Sequence, residues 1–312
     1  MTIIRKLILI ATQLLVYPIL LNLGLILNFF NLRKYFAIKY NDFIERSKQE
    51  GLNFLPVGTY EWDVWRRKIK DAFSKKLPVY FLHNSLVGKT MVHGSVAHQE
   101  EKLSKIRSIY SSKIAKTLLK ESVIGFPIIT SLKYKSSANT IHQAFHLSCY
   151  YEKTNKNLVE SKNIVEWGGG YGCLARILCQ INPSCTYTIL DLPELSALQY
   201  VYLASIFGKQ KVNFITNSIN IKKGKINLLS SDRYIKSDFK LETETFITNW
   251  ALTESGESYQ NFVVSQNFFS AKNILVSCIE DQNNFIINRK HPFYEHKVSI
   301  EVLGERNFYL MK

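Results

Sequence analysis

The chain has 312 residues, 46% hydrophobic and 21% charged. That is enough apolar side chain for one large domain or two ordinary ones, and it excludes a disordered chain. Seven Pro and 14 Gly exclude collagen-like or low-complexity sequence, and the five Cys are odd in number with no C-x-x-C pair. They argue against a zinc ribbon or disulfide scaffold and for a reducing compartment. The net charge of +15 is lopsided: residues 1–160 carry 24 Lys+Arg against 11 Asp+Glu, and residues 161–312 carry 16 against 14. The basic half is either a solvated lysine-rich face or a surface for phosphates, anionic lipid head groups or nucleic acid.

No charge occurs between Lys6 and Arg33. The 26 residues 7–32 are long enough to cross a bilayer, and no cleavage site follows them. Residues 1–32 therefore read as a membrane-associated segment, either a spanning helix or a re-entrant or interfacial one; the remaining alternative is a buried core helix. Arg33, Lys34, Lys39, Arg46 and Lys48 follow, which places the bulk of the chain at the cytoplasmic face of the inner (plasma) membrane.

Residues 33–140 form a mostly helical, basic accessory region. Trp62, Trp65, Ile69 and Phe73 fall at helical spacing in 61–73. Residues 99–123 predict one longer helix, with Leu103, Ile106, Tyr110, Ile114 and Leu118 as its apolar stripe. Lys102, Lys105, Lys113, Lys116 and Lys120 occupy its other faces, which read as the wet basic side of a packed helix or as a face for anionic lipid or substrate phosphate. Residues 125–139 predict a loop with a short strand, and 141–154 a helix. His142 and His146 share one face of that helix. They are candidate catalytic bases or plain packed histidines; no H-E-x-x-H is present and no metal site is assigned.

Residues 141–312 predict an α/β domain. NIVEW (163–167), CTYTILDL (185–192), KVNFIT (211–216), TFITNWAL (245–252) and NILVSCIE (273–280) read as strands. Helices at 173–181, from Pro193 to a Gly stop, and at 255–269 separate most of them, which implies a parallel sheet covered on both faces. KVSIEVLG and NFYLMK (297–304 and 307–312) leave no room for a helix and predict a closing antiparallel hairpin.

The chemistry sits in EWGGGYG, residues 166–172. Glycines between a strand and a helix let the backbone approach a ligand. Asp191, at the end of the second strand, can accept from both hydroxyls of a ribose, and Glu166 can hydrogen-bond a ligand amine. Glu254, after the fourth strand, is the first candidate for a general base or acceptor-orienting group; it reads equally as an acid at a helix start. Asp232 lies in an irregular stretch, 217–244, where a surface acid is the simpler reading. Cys173 stands at a helix N-terminus, which can lower a thiol pKa, although packing suffices to explain it.

VEWGGGYGCLARIL, TILDLPEL and FITNWALTES, in that order and spacing, resemble the sugar O-methyltransferases of bacterial surface-polysaccharide gene clusters. The resemblance spans residues 125–312 and implies a Rossmann-like seven-stranded methyltransferase sheet with S-adenosylmethionine as cofactor. By it, Glu166, Gly168, Gly170 and Gly172 hold the methionine part and Asp191 the ribose, while Asn249, Trp250 and Glu254 face cofactor and acceptor. The acceptor is a sugar or glycan, nucleotide- or lipid-linked, with no nucleic acid expected. The alternatives are an NAD(P)-dependent sugar oxidoreductase or epimerase, a non-catalytic membrane-bound polysaccharide-assembly component, and an RNA methyltransferase. No RNA-binding motif accompanies the last.

Overall fold

The computed structural model describes residues 17–50, 60–280 and 285–312. In chain order the helices are α1 (Tyr17–Leu32), α2 (Tyr35–Gln49), α3 (Tyr60–Ala72), α4 (Ser85–Met91), α5 (Gln99–Ile109) and α6 (Ser112–Leu118). A small hairpin follows, β1 (Ile129–Ser131) with β2 (Ser136–Ser137), then α7 (Ala138–Thr154). The α/β part runs β3 (Asn163–Trp167), α8 (Cys173–Ile181), β4 (Thr186–Asp191), α9 (Pro193–Phe207), β5 (Val212–Ile215), β6 (Ile226–Ser230) and α10 (Ser231–Ile235). It finishes with β7 (Thr245–Asn249), α11 (Ala251–Glu254), α12 (Glu257–Ser265), β8 (Asn273–Ile279), β9 (Lys297–Ser299) and β10 (Asn307–Met311).

The main sheet has the order β5-β6-β4-β3-β7-β8-β10-β9. Its first six strands pair in parallel, and β10 is antiparallel to both β8 and β9. The α/β class and the terminal hairpin stand as expected, with eight strands rather than seven. The additional inner strand is β6, INLLS, inside the stretch read as irregular. All five of its residues are buried, but it is joined to β5 without a helix and runs straight into α10, so neither alternation nor a preceding helix announces it. The segment read as the third strand, β5, lies outside β6 at the sheet edge.

Side-chain alternation sorts the sheet into two cores. Ile164, Tyr187, Ile189, Ile226, Leu228, Ile247, Leu275 and Tyr309 face α7, α8, α9 and the N-terminal helices. Val165, Leu190, Leu229, Phe246, Ile274, Val276 and Leu310 face α12 and the Phe268–Phe269 turn. Glu166 lies two residues past Ile164, Asp191 two past Ile189, and Asn249 two past Ile247. The period of two therefore aims all three at the first face, at the carboxyl ends of parallel strands, where open α/β sheets bind ligands.

The N-terminal helices share this first core. Phe29, Leu32 and Phe36 are buried with α9 beneath them, and the Asn28 side-chain amide donates to the Ser205 carbonyl at 2.9 Å. Residues 7–16 of the hydrophobic stretch lie outside the described residues. Among the described residues no helix is long and apolar enough to cross a membrane. The other side of α1 is bare: Leu23, Leu27 and Phe30 are exposed, as is Ile38 on α2.

The helix read over 99–123 is two. Tyr110 is extended, and the Ser111 hydroxyl accepts from the Ile114 N–H to start α6 afresh. Lys102, assigned to its wet side, is 4% exposed.

Candidate functional site

A cavity of about 600 Å³ opens over the carboxyl ends of β3, β4 and β7. The loop after β3 forms its floor. Gly168 (φ +74°) and Gly172 (φ +96°) hold backbone conformations disfavoured for other residues, and a Cβ on Gly168 would stand 2.0 Å from that of Ala251. Gly168, Gly169 and Gly170 line the cavity; Gly172 does not, and instead starts α8, accepting from the Arg176 N–H at 3.0 Å.

Glu166 and Asp191 are 4% and 5% exposed and both line the cavity. Glu166 accepts from the Tyr187 hydroxyl at 2.9 Å. Asp191 accepts from the Leu192 N–H at 2.8 Å and from the Gln199 amide at 2.7 Å, and Gln199 also donates to the Gly170 carbonyl. Neither carboxyl has a cationic partner among the described residues. Burial pushes Glu166 up to about 8, reinforced by Asp191 and opposed by Tyr187. Burial likewise pushes Asp191 up to about 7, against its hydrogen bonds. Two buried acids without a counter-charge, beside glycine backbone, fit a ligand that brings a cation and hydroxyl donors.

Across from them the wall is basic and aromatic. The His142 ring is sandwiched, with His93 stacked at 3.7 Å on one side and Trp250 at 5.2 Å on the other. Trp250 has φ +62°, uncommon for a bulky residue; its N–H donates to the Ser277 carbonyl and its indole N–H to Asn307 Oδ1 at 3.2 Å. His93, His142 and Trp250 line the cavity. His146 is not among the lining residues. It sits behind His142, fully buried, with Nδ1 hydrogen-bonded to the Tyr309 hydroxyl. Burial, then the neighbouring positive charges, hold all three histidines low, His93 at about 4 and His146 at about 3, so each is neutral at pH 7.

Asn249 lines the cavity with its side chain fixed, donating to Gln143 Oε1 at 2.8 Å and accepting from the Ser277 hydroxyl at 2.8 Å. Glu254, at the end of α11, lines the cavity and is partly exposed. Asp232 is not a surface acid: it is 3% exposed, accepts from the Tyr259 hydroxyl and lies 3.7 Å from Arg66, which also pairs with Glu194 at 3.1 Å. Burial raises the Cys173 thiol despite its place at a helix start. Among the described residues no group of three or more His, Cys, Asp or Glu is arranged for a metal ion.

The sequence alone did not point to His93, Asn139 or Trp62 as cavity residues, and it offered Lys102 only as one of five lysines on a helix that reads as wet or as a face for lipid or phosphate. Asn139 ties the two walls together, accepting from the His93 N–H at 2.9 Å and donating to the Tyr171 hydroxyl at 2.8 Å. A signal for Lys102 existed: it is four residues before Ile106, beside the apolar stripe rather than opposite it.

No known family profile and no curated protein matches the sequence. Solved structures overlap in part. The structure of PigF with S-adenosylhomocysteine is 15% identical at TM-score 0.30, over 43% of this chain and 42% of that one. This chain thus spans less than half the length of PigF. Human N-acetylserotonin methyltransferase in complex with S-adenosylmethionine is 14% identical at TM-score 0.31, over 75% and 68%. Coclaurine N-methyltransferase bound to N-methylheliamine and S-adenosylhomocysteine is 12% identical at TM-score 0.34, over 90% and 70%.

Proposed function

We propose that this chain is an S-adenosylmethionine-dependent O-methyltransferase acting on a sugar hydroxyl of a nucleotide- or lipid-linked glycan in surface-polysaccharide biosynthesis. The carrying observation is Glu166. A nicotinamide dinucleotide lays a pyrophosphate on such a glycine loop. A buried acid lining the cavity there repels that pyrophosphate and attracts the ammonium of a methionine moiety. Asp191 suits the ribose hydroxyls of either cofactor, so it does not discriminate.

The cofactor supplies an electrophilic methyl group when bound. Glu166, Asp191 and the loop of Gly168 to Gly170 bind it, while Asn249 and Trp250 shape the place where cofactor and acceptor meet. Displacement at the methyl carbon needs an aligned oxygen nucleophile, and a sugar hydroxyl needs its proton removed. Glu254 is assigned that role, with neutral His142 the second cavity-lining base. His146 is a positioning residue, holding the edges of His142 and Trp250 from behind. The region 33–140 supplies the facing wall of the acceptor site through Trp62, His93 and Lys102.

The bare face of Leu23, Leu27, Phe30 and Ile38, flanked by Arg33, Lys34 and Lys39, supports interfacial attachment to an anionic membrane at its cytoplasmic face. Calorimetric titration of the full chain tests the cofactor class. Micromolar S-adenosylmethionine binding, lost in Asp191→Ala, is expected. A folded chain that binds NADPH and not S-adenosylmethionine would overturn the reading in favour of an oxidoreductase.

A further inference from the structure

Among the described residues Arg176 and Arg233 are buried and Arg66 is 11% exposed, and all three have carboxylate partners. Arg176 is 3.1 Å from Glu121, Arg233 is 2.6 Å from Glu50, and Arg66 is 3.1 Å from Glu194. Lys102 is different. It is 4% exposed, lines the cavity, and neither ion-pairs with nor donates to any described residue. Its sequence neighbour Glu101 points outward, 60% exposed and 2.9 Å from His98 Nδ1. The Lys102 stem is buried and its ammonium is turned to the cavity without a carboxylate partner, so a ligand there can supply the counter-charge.

The surroundings show what is missing. The positive charge of Lys102 acts on His93, His142 and His146 together. Beside it, His93 Nε2 and both nitrogens of His142 are buried without hydrogen-bond partners. The His142 ring is 1% exposed and both its faces are covered by rings, so only its in-plane nitrogens remain for bonding. This part of the lining offers donors and positive charge; the acids that line the cavity, Glu166, Asp191, Glu254 and Glu301, belong to other segments, the first two to the ends of β3 and β4.

We propose that Lys102 and His93 form a subsite for a phosphate-type anion, so that the acceptor is a phosphorylated or diphosphate-linked molecule. The ammonium donates to phosphate oxygens, and the neutral imidazole donates one N–H. Calling the anion part of an acceptor rests on the methyltransferase reading; the anion subsite does not. Charge is separated along the cavity accordingly, the cationic end of one ligand at Glu166 and the anionic end of the other at Lys102. An acceptor so anchored presents its hydroxyl between them.

The test is calorimetric titration of the full chain with pyrophosphate and, separately, inorganic phosphate, each with and without S-adenosylhomocysteine. Saturable one-site pyrophosphate binding is expected, weakened at least tenfold in Lys102→Met and several-fold in His93→Gln. S-adenosylhomocysteine affinity should stay within twofold in both variants. Lys102→Met keeps the apolar stem and breaks no ion pair, so its unfolding temperature should stay close to that of the parent, which separates lost binding from lost folding. Lys105→Met, on the same helix but half-buried, outside the cavity lining and paired with Glu152, should change neither ligand. Pyrophosphate binding that is unsaturable, unchanged in Lys102→Met, or displaced equally by acetate would overturn the proposal. Retained pyrophosphate binding without S-adenosylhomocysteine binding would uphold the subsite and overturn the methyltransferase reading instead.

Discussion

The two walls of the cavity come from different parts of the chain and obey different rules. The sheet wall, Glu166 to Gly170 with Asp191, is set by strand ends and a glycine turn, and its titratable groups are acids. The helical wall, Trp62, His93, Lys102 and His142, gathers four separate segments and is neutral or positive. A strand end fixes where a side chain points by a period of two, so local sequence suffices to place it. Positions on the helical wall depend on how α3, α5 and α7 pack on the sheet, which no short window encodes. Walls of different charge suit two ligands meeting, with Asn249, Trp250 and the carboxyl of Glu254 at the seam.

The sharpest break in this arrangement is at the joint between the walls. Arg66 on α3 links the N-terminal helices to Glu194 on α9 and Asp232 on α10, with the Tyr40 hydroxyl donating to Glu194 at 3.3 Å. Arg66→Ala strands two buried acids. It should cost about 3 kcal/mol in urea unfolding, the range for breaking a buried pair by removing one partner. A loss under 0.5 kcal/mol would mean the helical wall is anchored elsewhere.

Asp191→Ala should weaken S-adenosylhomocysteine binding about a hundredfold, as expected when a buried hydrogen-bonded charge loses its role in the site. Pyrophosphate binding should stay unchanged, which would show that the walls bind independently. Glu254→Gln addresses the seam. Methyl transfer should slow about a hundredfold, within the usual range for general-base loss, with cofactor affinity unaltered. If Glu254→Gln is nearly silent while His142→Gln is not, the base lies on the helical wall.

The gentlest effect is on pH. Glu166 and Asp191 are raised to about 8 and about 7, so near neutral pH the free protein keeps them partly protonated. A ligand ammonium favours their ionised forms, so binding releases protons, and affinity must rise with pH below those values. S-adenosylhomocysteine binding should tighten several-fold from pH 6 to pH 7.5, and Glu166→Gln should flatten the trend. The same pair fixes the sign for stability. Acids raised in the folded state stabilise it while protonated, and that contribution is lost as pH rises from the unfolded range near 4 through the folded values.

Legibility followed the same divide. β3 and α8 were readable to the residue, because a buried run meets a glycine turn and a helix begins at once. β6 was not, because INLLS lacks both alternation and a helix before it. Glu166 and Asp191 were placed by strand position, and Asn249 by the resemblance. His146 was expected beside His142 and shares its face, but a helix face is broad: one ring reaches the cavity while the other meets Tyr309. Asp232 and Lys102 were misread in the same direction, as solvated charges, because only tertiary packing buries them.

The five cysteines, all free and all buried, carry a consequence for handling the protein. Burial pushes Cys149 and Cys185 up to about 12 and raises the other three thiols as well, so none offers a thiolate to an alkylating reagent while the chain is closed. Each becomes a clock for its own neighbourhood: Cys173 for the glycine loop, Cys149 for the helix carrying the histidines, Cys278 for the sheet beside β10. Labelling rates at these three sites, with and without bound cofactor, would map which parts of the chain breathe and which a ligand locks.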